Sequence, residues 1–229
     1  FMCHHASSVL LQGRNVLYIT MEMAEEKIAE RIDANLLNVP IQDLTDLPKP
    51  MFDKKITNLS KKTQGQLIIK EYPTASAHSG HFKTLLNELA LKKSFRPDII
   101  FVDYLNICAS SRYKANSGVN SYSYIKAIAE ELRGLAVEAN VPIVSATQTT
   151  RSGFASSDVD LTDTSESFGL PATADLMFAL ISTEELEELN QIMVKQLKNR
   201  YNDPTIFKRF IIGIDLSLIH ISEPTRHDQ

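Results

Sequence analysis

The chain has 229 residues, of which 43% are hydrophobic, and a formal net charge of −4. This length and composition suit one domain with a substantial core and exclude a disordered chain. The negative charge argues against coating of nucleic acid by the whole surface, but it allows a basic lining inside a groove or pore. Two widely separated cysteines without an apolar leader favour a reducing compartment, and the apolar runs are too short for a membrane span. We therefore expect a cytoplasmic protein.

Hydrophobic periodicity predicts helices and strands in alternation along the first two thirds of the chain. In chain order these are helix 1–12, strand 15–20, helix 24–39, a Pro-interrupted connector at 46–51, strand 66–72, helix 81–93, strand 98–103, a helix from Ile125 to Ala139 and strand 141–148. Two long polar loops are predicted at 110–121 and 149–169, and such loops are usually functional or disordered.

The remaining predicted elements are strands 174–182 and 192–200, followed by the turn residues "YNDP" and a hairpin return over 207–215. The alternation up to residue 148 predicts an α/β fold with a mostly parallel sheet and helices on both of its faces. The late hairpin is expected to add antiparallel strands at one edge.

The last fourteen residues have a different character. "LSLIHISEPTR", residues 216–226, resembles the translation of a transposase adapter used in DNA sequencing libraries, and it continues no earlier pattern. We therefore interpret residues 1–215 as the domain and residues 216–229 as a tail that is not native.

Asp103 is the first candidate site residue, because it ends the apolar strand "IIFVD". Parallel α/β sheets bind ligands beyond the carboxyl ends of their strands, so an acid at that position is a candidate ligand. Four apolar residues followed by aspartate is the pattern of the acid that holds Mg²⁺ through water in ATPases. An ordinary strand-end or helix-capping aspartate gives the same pattern.

Two more polar side chains follow strands in the same way. Glu22 comes after "VLYIT", where a carboxylate can orient and deprotonate the water that attacks a γ-phosphate. The alternative is an acid at a helix entry, which the helix dipole favours. Gln148 is predicted to end "VPIVSATQ", where its amide can hydrogen-bond a terminal phosphate. Three polar groups at three strand ends together favour a phosphate site.

The stretches "NVLYITMEM", "IIFVDYLN", "VPIVSATQTTR" and "MVKQLKNRYNDPT" occur in the order and spacing of the RecA-like motor domain of hexameric replicative helicases. Over residues 1–215 the chain resembles the replicative DNA helicases of T-even-type bacteriophages, which are distant relatives of the bacterial DnaB helicases. The run "AEELRGLAVEANVPIVSATQTTRSGF" makes the resemblance more specific than any single motif.

The resemblance implies a RecA-like P-loop NTPase core that uses ATP and Mg²⁺ to translocate on single-stranded DNA and to unwind duplex at the replication fork. It implies that Glu22 is the catalytic glutamate, Asp103 the magnesium-binding acid and Gln148 the γ-phosphate sensor. Lys198 and Arg200 match the basic pair that reaches into the ATP site of the neighbouring subunit. From the residues alone, a solvated hairpin edge explains the basic pair equally well.

Partners follow from the same resemblance. A contact in trans requires a ring, so we expect a homo-hexamer, together with a primase and a helicase loader, in the cytoplasm of a bacterial host during phage infection. The loops after the magnesium-binding strand and the sensor strand are expected to grip single-stranded DNA. Their positive charges are Arg112, Lys114 and Arg151, and solvated loop charge is the alternative reading of each. Four acids, Asp158, Asp160, Asp163 and Glu166, count against simple electrostatic gripping by the second loop.

One element of the resemblance is missing. The chain has no glycine-rich motif of the form GxxxxGK[ST], whose amides and lysine cradle phosphates. The opening helix resembles the one that follows that loop, so we expect the loop just upstream of Phe1. We expect the 229-residue chain itself to bind ATP poorly and not to hydrolyse it.

Two other functions stay open at this point. Another RecA-type ATPase, such as a recombinase or a KaiC-like regulator, would share the acids and the sensor, although the "KNRYNDP" hairpin favours the helicase. The chain could also act only as an assembly module. His78 and His81 have a spacing compatible with metal binding, but a structural zinc site needs further ligands and neither cysteine is near in sequence.

Overall fold

The computed structural model describes residues 1–114, 118–149, 169–203, 205–218 and 220–222. The first part of the chain contains α1 (Met2–Leu11), β1 (Val16–Thr20), α2 (Glu25–Leu37), α3 (Ile41–Leu44), α4 (Lys49–Lys62), β2 (Leu67–Glu71), α5 (Ser79–Lys93), β3 (Ile99–Asp103), a 3-10 turn (Leu105–Ile107), α6 (Ser121–Ala139) and β4 (Ile143–Ser145). The second part contains α7 (Gly169–Thr173), β5 (Leu176–Ile181), α8 (Glu184–Glu188), β6 (Gln191–Asn199), β7 (Arg209–Asp215) and β8 (His220–Ser222).

The first four strands form a parallel sheet in the order β2-β1-β3-β4. The two central strands, β1 and β3, are apolar almost throughout, as expected for strands covered on both faces. Their register places Val16 beside Ile99 and Thr20 beside Asp103, so the two strands end at the same level.

Successive residues of β1 and β3 point to opposite faces of the sheet, and each face has its own apolar core. Leu17 and Ile100 belong to the core that contains buried residues of α5 and α6. Tyr18 and Phe101 belong to the core that contains residues of α1 and α2. The domain is therefore a three-layer sandwich around the parallel sheet. Among the described helices, none is both long and apolar enough to span a bilayer.

The later strands pair antiparallel in the order β5-β6-β7-β8. The α/β fold with a parallel sheet, flanking helices and antiparallel strands is thus confirmed. In the described part of the chain, the antiparallel strands hydrogen-bond to one another as a sheet of their own. β8 lies within the tail, residues 216–229, where Ile221 is in register with Ile214. The interpretation of the tail as not native stays a prediction.

Two of the differences from the predicted element boundaries bear on the fold and the site. The connector predicted at 46–51 is wrong in its second half, because α4 begins at Lys49 with Pro50 in its first turn. Proline is tolerated there, since the first amides of a helix have no partner within the helix. The strand predicted at 141–148 spans only Ile143–Ser145. Gln148 therefore lies three residues beyond the strand and not at its end.

Candidate active site

The carboxyl edge of the parallel sheet brings together the three polar residues predicted from strand ends. β3 lies between β1 and β4, and all three strands run in the same direction. Asp103 ends β3, Glu22 follows β1 by two residues, and Gln148 follows β4 by three. The three side chains consequently lie beyond the same edge of three adjacent strands, where α/β sheets bind ligands.

Asp103 is half-buried and is held by a tyrosine of the neighbouring strand. The Tyr18 hydroxyl donates to Asp103 Oδ2 at 2.9 Å, and Cys3 Sγ on α1 lies 3.9 Å from the same hydroxyl. Burial, followed by the nearby Cys3 and Asp103, raises the pKa of Tyr18, which therefore stays a neutral donor. The carboxylate is thus fixed on the face of the sheet that α1 covers.

Glu22 projects from a turn that is pinned on both sides. The Thr20 hydroxyl donates to Met23 O at 2.8 Å and accepts from Met23 N at 3.1 Å. Met21 N donates to Asp103 O at 2.9 Å, which ties the turn to the end of β3. The side chain of Glu22 itself is exposed. A fixed backbone with an exposed carboxylate suits a group that must meet a ligand.

Gln148 is oriented by the residue that follows Asp103. Its Nε2 donates to the Tyr104 hydroxyl at 3.1 Å. One residue earlier, the Thr147 hydroxyl donates to Asn106 Oδ1 at 2.8 Å, and Leu105 N donates to Ala146 O at 3.2 Å. The segment after β4 is therefore tied to the segment after β3, so a displacement of one can be passed to the other.

The predicted basic pair lies at the end of β6, where both side chains contact α7 and the residues that follow it. Lys198 Nζ donates to the carbonyls of Pro171 and Ala172, the latter at 3.1 Å. Arg200 Nη2 donates to Ala172 O at 2.7 Å, and its Nη1 lies 3.0 Å from Asp175 Oδ1. Burial, and then repulsion by Arg200, lowers the pKa of Lys198.

The first candidate DNA loop is anchored at its root by Glu131 of α6, which is 9% exposed. Glu131 Oε1 accepts from Ser110 Oγ at 2.6 Å and from Arg112 N at 3.3 Å, and Oε2 accepts from Ser111 N at 2.8 Å and from Ser79 Oγ at 3.3 Å. These contacts fix the backbone that carries two of the predicted DNA-contacting residues.

The predicted DNA-contacting residues are only partly described. The Arg112 guanidinium pairs with Glu130 on α6, and Lys114 is exposed. Arg151 lies outside the described residues, as do residues 115–117 and most of the second loop. The structure thus places two of the three charges on one anchored loop.

The Asp103 carboxylate at the sheet edge fits the Mg²⁺ ion of a bound nucleotide. Tyr18 holds Oδ2 of Asp103, and among the described residues no donor contacts Oδ1, so that oxygen can accept from metal-bound water. A carboxylate oxygen is the ligand type that Mg²⁺ prefers, and one carboxylate suffices when phosphates and water complete the shell. Within the described part of the chain, no cluster of three metal-binding side chains occurs.

The two histidines of "HSGH" cap a helix in this structure. His78 Nδ1 accepts from Gly80 N at 3.0 Å, and His81 Nδ1 accepts from His78 N at 3.2 Å. Both Nδ1 atoms therefore hold the first turn of α5. Cys108 is buried, and burial raises its pKa to about 12, so it packs as a small apolar residue.

Comparison with known proteins identifies the chain's relatives. The family model described as the DnaB-like helicase C terminal domain matches residues 1–209. The chain belongs to this family. A DnaB-like replicative helicase of Enterobacteria phage T4 is 49% identical over 216 residues, which are 93% of this chain and 45% of that protein. A probable plasmid replicative DNA helicase of Chlamydia psittaci is 29% identical over 201 residues, which are 84% of this chain and 42% of that protein.

Two solved structures share the fold. A DnaB-like replicative helicase, described with its interactions with primase, superposes with a TM-score of 0.75 at 16% identity, over 96% of this chain and 53% of that one. The ATPase domain of G40P gives a TM-score of 0.78 at 17% identity, over 97% of this chain and 78% of that one. At this identity the likeness concerns the fold. The chain spans about half the length of the phage relative it matches.

Several residues of the site were not predicted from the sequence. Tyr18 could have been predicted, since it lies two residues before the end of β1, as Phe101 does in β3, and its side chain is therefore on the same face of the sheet as that of Asp103. Glu131 could also have been predicted, because it is a charge within the apolar stripe Ile128, Leu132 and Leu135 of α6. The partners of Gln148 and Arg200, namely Tyr104 and Asp175, could not, because both contacts depend on how the strands end.

Proposed function

We propose that this chain is part of the motor domain of a replicative DNA helicase, and that the full-length protein uses ATP to translocate on single-stranded DNA and to unwind duplex at the replication fork. The observation that carries the proposal is the shared edge of three adjacent parallel strands, beyond which Glu22, Asp103 and Gln148 lie. The DnaB-like family membership and the identity to a phage replicative helicase support it.

At this edge each side chain has a separate task. Asp103, oriented by Tyr18, would hold Mg²⁺ through water, and the ion would supply charge neutralisation on the phosphates. Glu22 orients the attacking water and takes its proton. Gln148 hydrogen-bonds the terminal phosphate. When hydrolysis removes that phosphate, the resulting movement of Gln148 is transmitted through the hydrogen bonds that join the segments after β3 and β4.

The ring completes the site. We infer a homo-hexamer in which Lys198 and Arg200 of one subunit reach the nucleotide of the next, because a trans contact of this kind needs a closed assembly. The loops that carry Arg112, Lys114 and Arg151 then face single-stranded DNA in the channel. A primase and a helicase loader are the expected partners, and the host cytoplasm is the expected compartment.

ATPase and unwinding assays on the full-length protein test the proposal. Glu22→Gln should lower kcat by about 10²–10⁴-fold, as loss of a general base does. Asp103→Asn should abolish magnesium-dependent turnover, whereas Asp98→Asn is a matched control, because Asp98 lies before β3 at the opposite end of the same strand. Wild-type turnover by Asp103→Asn would refute the assignment of the site. Filament formation on DNA without unwinding would indicate a recombinase instead.

For the DNA loops, charge reversal of Lys114 and Arg151 in the full-length helicase should weaken single-stranded DNA binding and reduce its salt dependence. Unchanged affinity across salt concentrations would remove these residues from the interface. Native mass spectrometry with ATP and DNA should show a hexamer, and a monomer under all conditions would contradict the ring.

A further inference from the structure

The Arg200 side chain has two acceptors, and each of them also accepts from a second cation of the same chain. Its Nη1 lies 3.0 Å from Asp175 Oδ1, while Arg133 Nη1 of α6 lies 2.6 Å from Asp175 Oδ2. Its Nη2 donates to Ala172 O, which also accepts from Lys198 Nζ. If the Arg200 side chain alone turned outward, Asp175 would keep Arg133 and Ala172 O would keep Lys198. Neither acceptor would lose its last donor.

This sharing decides how easily Arg200 can turn outward. A carboxylate with one arginine holds it by two charged hydrogen bonds, whereas a carboxylate with two arginines divides itself between them. Hydrogen bonding from Arg133, with Arg200 nearby, holds the pKa of Asp175 below its ordinary value, so the carboxylate stays charged near neutral pH. The backbone bond from Arg200 N to Asp175 O, at 3.0 Å, keeps the end of β6 in place while the side chain moves.

We propose that Arg133 is a positioning residue that keeps Asp175 from retaining Arg200 within its own subunit, so that Arg200 is free to reach the nucleotide of the neighbouring subunit. The inference rests on the proposed function of Arg200 in trans. Asp175 holds the guanidinium within its own subunit, and Arg133 weakens that hold.

DNA-stimulated ATPase of the full-length hexamer tests this at low and high salt. Arg133→Gln should lower kcat by about two- to fivefold, the range expected for partly exposed ion pairs, with little change in KM for ATP. High salt should reduce the effect, because these charges are partly exposed. Arg133→Lys should stay close to wild type, since it keeps the charge. Lys83→Gln, which breaks a surface ion pair between α5 and α6, is the matched control and should leave kcat unchanged.

The deciding variant is the double substitution Arg133→Gln/Asp175→Asn. Removing the carboxylate should restore kcat to within about twofold of wild type, because no charged acceptor then retains Arg200. A double variant as slow as Arg133→Gln, or slower, would overturn the inference and give Arg133 a direct or merely structural role. The variant Arg200→Gln distinguishes a failure of the proposed trans role of Arg200 from a failure of the role inferred for Arg133. Full activity of Arg200→Gln would refute the trans role itself, whereas its collapse beside a normal Arg133→Gln would refute the inference alone.

Discussion

Replacing Glu131 by glutamine should destabilise the 229-residue chain by about 1–3 kcal/mol, the penalty for leaving a buried donor unpaired. The carboxylate accepts from four donors, two on each oxygen. Glutamine replaces one oxygen by an NH₂ group, which cannot accept. The serine hydroxyls can rotate away, and Arg112 N still donates to Ser110 Oγ at 3.1 Å, but Ser111 N loses its acceptor when the NH₂ group takes the place of Oε2, and the other donors lose a charged acceptor.

Thermal unfolding followed by circular dichroism measures the change. For a chain of this size, 1 kcal/mol shifts Tm by about 2–4 °C, so Glu131→Gln should lower Tm by roughly 2–12 °C. Glu130→Gln is the matched control, because the neighbouring carboxylate makes a partly exposed ion pair with Arg112 and should cost less than about 1 kcal/mol. Equal shifts for the two variants would show that Glu131 does not anchor the loop.

The pH dependence of the same difference gives an independent check. Burial alone would raise the pKa of Glu131, but the hydroxyl of Ser110 and the backbone of Ser111 and Arg112 outweigh it, so the pKa lies below its ordinary value. A carboxyl with a depressed pKa in the folded state stabilises the fold above its unfolded pKa of about 4.3 and loses that contribution as the pH falls through the folded value. The gap between wild type and Glu131→Gln should therefore be full at pH 7 and shrink below about pH 4.

Three further predictions address the core, the metal-binding acid and the chain itself. Leu89 is 6% exposed, so Leu89→Ala should lower the free energy of unfolding in urea by about 2–5 kcal/mol. Leu91 on the same helix is 85% exposed, so Leu91→Ala should change it by less than about 0.5 kcal/mol. Similar losses for the two variants would contradict the assignment of Leu89 to the core. Tyr18→Phe removes the donor to Asp103 and should raise the Mg²⁺ concentration for half-maximal ATPase of the full-length protein; an unchanged magnesium titration would mean that Tyr18 does not orient that acid. The 229-residue chain should show no measurable ATPase, because it carries no GxxxxGK[ST] motif, and robust turnover by it would refute the need for that motif.

The parallel half of the fold could be predicted because its central strands are unambiguous. "VLYIT" and "IIFVD" are buried runs of strand length, and a polar residue that follows such a run must lie at the carboxyl edge of the sheet. α4 could not be found in this way. Its apolar stripe is short, consisting of Phe52, Ile56 and Leu59, none of its residues is buried, and Pro50 in its first turn resembles a break.

The contacts of Lys198 and Arg200 could not be predicted from the sequence for a different reason. Arg200 meets Asp175 because β5 and β6 pair with Leu176 opposite Asn199, in a ladder whose register shifts between Met177 and Phe178. Such an irregularity depends on side-chain packing across the sheet and has no marker in the sequence. The type of each residue was therefore predictable, whereas its partner was not.

The most direct test of the account is a structure of the full-length assembly with Mg²⁺ and a non-hydrolysable ATP analogue. The account predicts that the metal lies next to Asp103 through a bound water, that Glu22 and Gln148 of the same subunit face the γ-phosphate, and that Arg200 of the adjacent subunit has left Asp175 to contact it. A nucleotide bound away from the carboxyl edge of the parallel sheet, with Asp103 still contacting only Tyr18, would contradict it.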